Sequence, residues 1–268
     1  MSPRRSKNIC TAARSEWGME QTTKHVAACS FGKDSIATIL LAMQHNEPLD
    51  EVVYCEVMFD RETSGEVPEH REFIHEIAIP KLKEWGIETT VLRSDTTYMD
   101  YMTKPITRGA MKGKLHGFPL CGRCSIQRDC KTRTIQAWIR QQIAEIVTYL
   151  GIASDETKRL ARLDGVSKIS LLQKYKVKEA DTYEICKESG LLSPVYEFSD
   201  RNGCFFCPNS KERELYHLYT HHKNLWAKML RVQALPNKAT ERFNRTMTFT
   251  EIDQLFQQGG EHHENITD

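Results

Sequence analysis

The first 150 residues alternate short apolar runs with longer segments in which apolar residues recur at helical spacing. Runs rich in Val, Ile and aromatic residues predict buried strands at 25–29, 52–59, 88–92 and 146–151. Helical spacing predicts helices at 35–45, 69–85 and 132–143. Strand–helix alternation is typical of a parallel sheet with helices on both faces. We therefore predict an α/β fold with a doubly wound, mostly parallel sheet.

The pattern changes after Gly190. A turn-rich segment with two cysteines is followed by one long helical pattern. Three histidines on that pattern have no carboxylate at an obvious spacing, so we expect exposed surface positions for His217, His221 and His222. The chain is predicted to divide into an N-terminal arm at 1–23, an α/β domain at 24–199 and a Cys-rich helical module with an acidic tail at 200–268.

Composition is that of a soluble enzyme. The chain has 268 residues, of which 40% are hydrophobic and 27% charged, enough to bury one good core. No apolar run approaches the roughly 20 residues of a membrane span, and the N-terminal segment lacks the apolar part of a secretion signal. We expect a cytoplasmic protein without membrane contact. Its nine cysteines then indicate metal ligands or redox groups instead of disulfides.

Positive charge is concentrated in one segment, although the net charge is only +1. Between Tyr101 and Gln142, nine Lys and Arg residues stand against a single acid, Asp129. This segment indicates an anion-binding rim for nucleotide phosphates, or a surface for nucleic acid. The stretch from Glu251 onward carries only acidic charges, and we interpret it as a solvated tail.

The segment HVAACSFGKDS at 25–35 joins a predicted strand to a predicted helix. A glycine-bearing turn at a helix start suits phosphate, because the first helical N–H groups are free and glycine lets the anion approach closely. Ser30 and Ser35 add hydroxyl donors, and Lys33 adds a mobile cation. The pattern differs from the G-x-x-x-x-G-K-S/T loop of ATPases.

This loop resembles the SxGxDS PP-loop of the adenine nucleotide α-hydrolase superfamily. Two further segments are similar to one family within it: FDRETSGEVPEHREFI, with its strand-two Asp and Pro-Glu helix start, and GIASDETKRLARL, which is similar to the loop after the fourth strand. In this order and spacing, residues 24–165 resemble the phosphoadenosine phosphosulfate (PAPS) reductase family.

The resemblance implies an adenine nucleotide α-hydrolase-like fold that binds ATP, PAPS or adenylyl sulfate. The phosphate or pyrophosphate site would comprise Ser30, Phe31, Gly32, Lys33, Asp34 and Ser35. Asp34 would lie near Mg²⁺ if ATP is used, and Asp60 near the adenosine end. Residues closing over the substrate would be Gly151, Asp155, Glu156 and Arg159. Acids such as Asp34, Asp155 and Glu156 are also favoured in any first helical turn, which is the structural alternative.

Two departures separate the chain from the reductases proper. Those enzymes use a cysteine in a C-terminal Glu-Cys-Gly-x-His segment, whereas the last cysteine here is Cys207. Ala153 also stands where the reductases tend to carry arginine. The missing nucleophile favours ATP-dependent transfer over reduction of a sulfonucleotide, unless Cys204 or Cys207 replaces it.

Two C-x₂-C pairs predict a metal centre, with Cys121, Cys124, Cys204 and Cys207 as ligands. Four thiolates suit tetrahedral Zn²⁺ or a 4Fe-4S cluster. Cys130 is a fifth candidate, either as a substitute ligand or as a free reactive thiol. The Arg-rich surroundings, and the iron–sulfur enzymes of the same superfamily, favour the 4Fe-4S cluster over zinc.

Two functions fit these features. The first is a PP-loop enzyme, either an adenylating sulfurtransferase or a sulfonucleotide reductase, with Lys33, Asp34 and Cys130 as catalytic residues. Its sulfur or electron donor is left open, as is an oligomeric state. The second is a nucleotide-holding module that binds nucleic acid through the basic 101–142 segment and contains a structural zinc.

Overall fold

The computed structural model describes residues 22–119, 122 and 124–259. In chain order its strands are β1 (Thr23–Cys29), β2 (Glu51–Glu56), β3 (Glu88–Arg93), β4 (Leu115–Gly117), β5 (Glu145–Leu150), β6 (Lys168–Ile169) and β7 (Lys238–Thr240). Five of them form one sheet in the order β3-β2-β1-β5-β6, and every pair in it is parallel. The predicted α/β class and parallel sheet are confirmed. A second, small sheet pairs β4 with β7.

Helices connect and cover these strands. The α-helices are α1 (Lys33–Gln44), α2 (Pro68–Glu72), α3 (Ile79–Glu84), α4 (Tyr98–Thr103), α5 (Arg133–Arg140), α6 (Thr157–Leu160), α7 (Leu171–Lys174), α8 (Glu179–Glu188), α9 (Glu212–His221), α10 (Lys223–Gln233) and α11 (Phe249–Gln257). Two π-helical segments (Phe73–Ala78 and Gln127–Thr132) and one 3₁₀ turn (Pro194–Glu197) complete them.

Both faces of the main sheet are buried, as the doubly wound prediction requires. Ala27 and Tyr54 point to one face, where they share a core with apolar residues of α1, α7 and α8. Their neighbours Val26 and Val53 point to the other face, next to Trp138 of α5. The alternation follows from strand geometry, because successive side chains leave a strand on opposite sides.

The order of the strands creates a place for a ligand. From β1 the chain adds β2 and then β3 on one side, and it later adds β5 and β6 on the other side. Connections therefore reverse direction between β1 and β5. Ligands of open parallel sheets bind outside the carboxyl ends of the strands at such a reversal, and here the chain places Ser30 after β1 and Gly151 after β5.

Several predicted boundaries are wrong. The strand expected at 52–59 ends at Glu56, and the helix expected at 132–143 ends at Arg140. The helix expected at 69–85 is divided by a π-helical segment before α3. Pro80 explains this division, because proline has no N–H to donate and its ring crowds the carbonyl four residues earlier, which a wider turn relieves.

The terminal region contains two helices where one long helix was expected. The chain leaves helical geometry at His222, with φ −126° and ψ 58°, between α9 and α10. Apolar residues of this region, including Phe206, Trp226 and Phe256, share a second core with residues of the first half of the chain. The latter include Phe59, Tyr98 and Ile126. Within the described residues, no helix combines the length and the apolar character needed to cross a membrane.

Candidate nucleotide and metal site

A cleft of about 810 Å³ opens at the carboxyl ends of β1 and β5. Three groups of sequence-predicted residues line it together. From the loop after β1 come Ser30, Gly32, Asp34 and Ser35, and from the region after β5 come Gly151 and Arg159. Cysteines contribute Cys124, Cys204 and Cys207, whereas Cys121 lies outside the described residues. The phosphate-type loop and the cysteine pairs thus face one space.

Two side chains from distant segments hold the loop carbonyl of Ser30. The His70 Nε2 lies 3.1 Å from this oxygen, and the Asn202 amide donates to it at 3.0 Å. Because a carbonyl only accepts, the His70 proton belongs on Nε2, and Nδ1 accepts from the Ser193 hydroxyl at 2.8 Å. Burial lowers the pKa of His70, which keeps the ring neutral. A Cβ on Gly32 would lie 2.2 Å from the Asn202 Oδ1, so this packing requires glycine.

Lys33 is an internal anchor of the loop. Its ammonium donates to Asp34 and to Glu179 of α8, each at 3.0 Å, and the residue is 9% exposed. Burial lowers the pKa of Lys33, but the bonds to Glu179 and Asp34 outweigh it and raise the pKa overall. Its backbone N–H donates to the Tyr196 hydroxyl at 2.8 Å. Lys33 therefore joins the loop to α8 and does not line the cleft.

Gly151 lets the end of β5 approach the loop. A Cβ at this position would lie 2.8 Å from the Asp34 carbonyl carbon and 2.8 Å from the Ser35 nitrogen. Both are backbone atoms at the start of α1, which cannot move without moving the helix. Gly151 is therefore also required for a steric reason, because a larger residue would not let the end of β5 approach the start of α1 this closely.

Basic side chains predominate among the charged residues of the cleft. Its cationic lining residues are Lys131, Arg159, Arg162, Lys168 and Arg201, against the acids Asp34 and Glu66. This excess of positive charge suits a polyanionic ligand. The sequence interpretation missed Arg162, Lys168 and Arg201. Their positions in the sequence could have identified them. Arg162 and Lys168 follow the GIASDET segment, and Arg201 lies three residues before Cys204.

The described cysteines of the cleft have a polar neighbourhood. The Arg201 guanidinium donates to the Cys207 sulfur at 3.3 Å. The backbones of Glu66 and Cys204 pair in an isolated antiparallel β-bridge. Burial raises the pKa of Cys124 and of Cys204. A cationic centre would compensate the charge of such thiolates, so the donor set fits a thiolate-bound metal or cluster.

The spacing of the sulfurs bears on which metal fits. Tetrahedral zinc with Zn–S bonds of about 2.3 Å needs sulfurs about 3.8 Å apart. Within the described part of the chain, the sulfurs of Cys124, Cys204 and Cys207 do not form a group with all ligand atoms within 4.8 Å of one another. A four-iron cluster is a larger body and spans wider separations than one zinc ion.

Other predicted residues lie away from the cleft lining. Phe31 is in the core at 1% exposure with φ 57°, and Cys130 is fully buried, where burial raises the pKa of its thiol to about 12. The Asp155 carboxylate accepts from the Glu179 N–H at 3.1 Å. The Glu156 carboxylate accepts from the Ala153 N–H at 3.0 Å. In this arrangement Glu156 supports its own loop, whereas Asp155 joins that loop to the start of α8.

Asp60 also lies outside the cleft lining. Its carboxylate accepts from the Lys228 ammonium at 2.6 Å, and from the N–H groups of Glu62 and Thr63 at 3.0 and 2.7 Å. Burial raises the pKa of Asp60, but these donors outweigh it and lower the pKa to about 2. Because Lys228 belongs to α10, the pair connects the terminal helices to the segment after β2.

Replacing Asp60 by Asn is expected to lower the free energy of unfolding at neutral pH by about 1–2 kcal/mol. The charge disappears, whereas the amide oxygen can still accept from Glu62 and Thr63. Since the folded pKa is about 2 and the ordinary value 3.8, this stabilisation is complete above about pH 4 and is lost as the pH falls toward 2. Denaturant unfolding at neutral pH and at about pH 3 should show the wild-type advantage reduced to roughly half. An advantage equal at both pH values would contradict the assignment.

Comparisons with known proteins found structural likeness but no match in sequence. No family model and no curated protein sequence matches the chain. Among solved structures, the chain is similar to the U34-tRNA thiolase NcsA from Methanococcus maripaludis with its 4Fe-4S cluster. The identity is 14% and the TM-score 0.40, over 91% of this chain and 74% of that chain. The function proposed for this chain therefore rests on the residues that line the cleft.

Proposed function

We propose that this chain is a PP-loop enzyme that binds an adenine nucleotide and acts in sulfur chemistry at a cysteine-ligated metal centre. One observation carries the proposal. The loop after β1, the basic residues after β5 and three cysteines of the two C-x₂-C pairs line the same cleft. A nucleotide held by the loop would therefore have its phosphates within the space that the cysteines also face.

The nucleotide end of the cleft has the groups that phosphate chemistry needs. The positive end of the α1 dipole lies beside the cleft, and Ser30 supplies a hydroxyl to it. The Lys33 N–H and the Ser35 hydroxyl already donate to the Tyr196 hydroxyl and to the Gly32 carbonyl. Arg162 and Lys168 line the same space and would stabilise negative charge that develops on phosphoryl oxygens. Asp34 would hold Mg²⁺ if the nucleotide is ATP. These residues act by positioning and by electrostatics, without forming a covalent bond.

The cysteine end supplies the sulfur side of the reaction. In an ATP-dependent transfer, an acceptor oxygen attacks the α-phosphorus and releases pyrophosphate, and a sulfur nucleophile then displaces AMP from the adenylated acceptor. A 4Fe-4S cluster held by the four C-x₂-C cysteines would bind that sulfur at one iron only after a cysteine ligand had left that iron. Arg201 donates to Cys207 and would fix the ligand and balance its charge. Cys130 stays a weaker candidate for carrying sulfur, because it is fully buried outside the cleft.

Metal analysis and nucleotide turnover test this function together. Anaerobically purified protein is expected to contain about four irons and four acid-labile sulfides per chain, and to bind ATP or a sulfonucleotide. AMP and pyrophosphate formed from ATP would identify the transferase, and sulfite released from PAPS the reductase. One tight zinc without iron, combined with no adenine-nucleotide binding, would contradict the proposal.

A second candidate is the nucleic-acid-binding module. It is favoured by the exposed basic residues of the 101–142 segment, which include Lys104, Arg108, Lys112, Arg128, Arg133 and Arg140. Binding of this kind displaces counterions, so the association constant for RNA or DNA should fall steeply as salt rises. No binding to either polymer at low salt would remove this candidate and leave the enzyme unaffected.

A further inference from the structure

A second group of ligand-type side chains lies outside the cleft, where α2 meets the corner between α9 and α10. Glu69, His217 and His222 bring one carboxylate oxygen and two imidazole nitrogens within 4.8 Å of one another. The His217 Nε2 lies 2.7 Å from Glu69 Oε1, and the His222 Nε2 lies 2.9 and 3.0 Å from the two carboxylate oxygens. Within the described residues, this is the group of three that meets such a distance limit.

The break between the two helices creates this group. In an unbroken helix, residues five apart point about 140° away from each other, so His217 and His222 would face different directions. The non-helical backbone of His222, with φ −126° and ψ 58°, turns its ring back toward the same carboxylate. The expectation of exposed surface histidines was wrong for these two, because the carboxylate partner comes from a segment 148 residues earlier than His217.

The group is fixed in orientation yet reachable from solvent. The His217 ring stacks on Phe198 with centroids 3.6 Å apart and an angle of 6° between the planes. The side chains of His217, His222 and Glu69 are 17%, 16% and 29% exposed. Burial raises the pKa of Glu69, but hydrogen bonds from His217 and His222 outweigh it and lower the pKa, which keeps the carboxylate charged.

We propose that Glu69, His217 and His222 bind a divalent transition-metal ion, with Zn²⁺ as the ion that the donor set fits best. Two imidazoles and one carboxylate, with water in the fourth position, are a common zinc ligand set. Zn–N bonds of about 2.0–2.1 Å place tetrahedral ligand atoms about 3.3 Å apart, so the present nitrogen–oxygen distances need to open by about 0.3–0.6 Å. Metal binding at Nε2 requires that each ring carry its remaining proton on Nδ1.

The position of the group gives the ion a structural role. Glu69 lies on α2, and the next residue, His70, holds the Ser30 carbonyl of the loop. An ion at Glu69 would therefore tie α2, and with it the support of the loop, to the corner of the terminal helices. Glu69, His217 and His222 would be positioning residues, separate from the cysteines of the cleft.

Zinc binding by the full-length chain tests the proposal. After treatment with a chelator, the protein is titrated with Zn²⁺ alone, and its bound zinc and its thermal midpoint are measured. The variants His217→Gln and His222→Gln retain an amide N–H that can donate to Glu69, so they keep the metal-free contact and remove a metal ligand. His221→Gln is the matched control, because His221 stacks on His217 but is exposed and lies outside the ligand group.

Wild type and His221→Gln are expected to bind one more zinc per chain than either ligand variant, and zinc should raise their thermal midpoints by several degrees more. Affinity at the site should fall at least tenfold in the ligand variants. The cysteine centre contributes equally to all four proteins, so its zinc cancels in the comparison. Equal zinc content and equal zinc-induced shifts in all four proteins would overturn the proposal and leave a hydrogen-bonded ion pair.

Discussion

Alanine at Gly151 should weaken adenine-nucleotide binding by roughly ten- to a hundredfold, since each hydrogen bond to a charged phosphate that the displaced loop loses is worth about 1.5–3 kcal/mol. The new Cβ would be 2.8 Å from the Asp34 carbonyl carbon and the Ser35 nitrogen. These backbone atoms belong to the first turn of α1, so the strain can be relieved only by moving the phosphate loop. Overpacking of this kind is expected to lower the free energy of unfolding by about 1–3 kcal/mol as well.

The chain offers a matched control for this substitution. Gly203 lines the same cleft, but a Cβ there would lie 3.6 Å from the nearest atom, the Arg201 Nη1, in ordinary van der Waals contact. Gly203→Ala should therefore keep nucleotide affinity within about twofold of wild type. Calorimetric titration with ATP and PAPS, together with denaturant unfolding, measures both effects. Equal affinities of the two variants would show that the loop does not bind the nucleotide.

Removal of the Cys204 sulfur is expected to reduce the iron content from about four to less than one per chain, because a cluster with three protein ligands is lost readily in air. Alanine is a small change for a half-buried cysteine, so the fold should survive. Iron, acid-labile sulfide and the visible absorption spectrum report the loss, and circular dichroism checks the fold.

Two other cysteines make this experiment specific. Cys130→Ala distinguishes the two roles left open for that residue, and full iron content in this variant would exclude Cys130 as a ligand. Cys55→Ala is the control, because its thiol is buried in β2 and bonds to the Cys130 carbonyl at 3.4 Å. Loss of iron in Cys130→Ala with retention in Cys204→Ala would require a different ligand set from the one proposed.

Local patterns in the sequence were sufficient for the architecture. Each of the four long strands of the main sheet lies within a few residues of its prediction, because a strand of a parallel sheet is a short apolar run whatever it contacts. The predicted burial is wrong for β3, which lies at the edge of the sheet and has no buried residue. Ser30 and Gly151 line one cleft because both come directly after parallel strands. Features of this kind depend on residues that are consecutive in the sequence.

Contacts between distant segments could not be predicted in the same way. The residues around Lys33 in the sequence suggest that its ammonium is free. The structure shows that it pairs with Glu179, which is 146 residues away. Spacing near His217 likewise gives no sign of Glu69. Cys130 lies on a helical segment, and nothing in the C-x₂-C-x₅-C pattern says that its sulfur points into the second core. These partners depend on tertiary packing, which a single sequence does not display.

The second core also has a consequence for how the chain is made. Ile126 and Phe256 belong to the same apolar cluster, although about 130 residues separate them. At a synthesis rate of about 5–20 residues per second, a ribosome needs roughly 6–26 seconds to pass from one to the other. During that interval the nascent chain exposes the apolar side chains of its first half, and the loop lacks Asn202, which emerges late. The cleft can therefore be completed only after the segment with Asn202 has emerged, and a chaperone that binds exposed apolar surface has a defined interval in which to act.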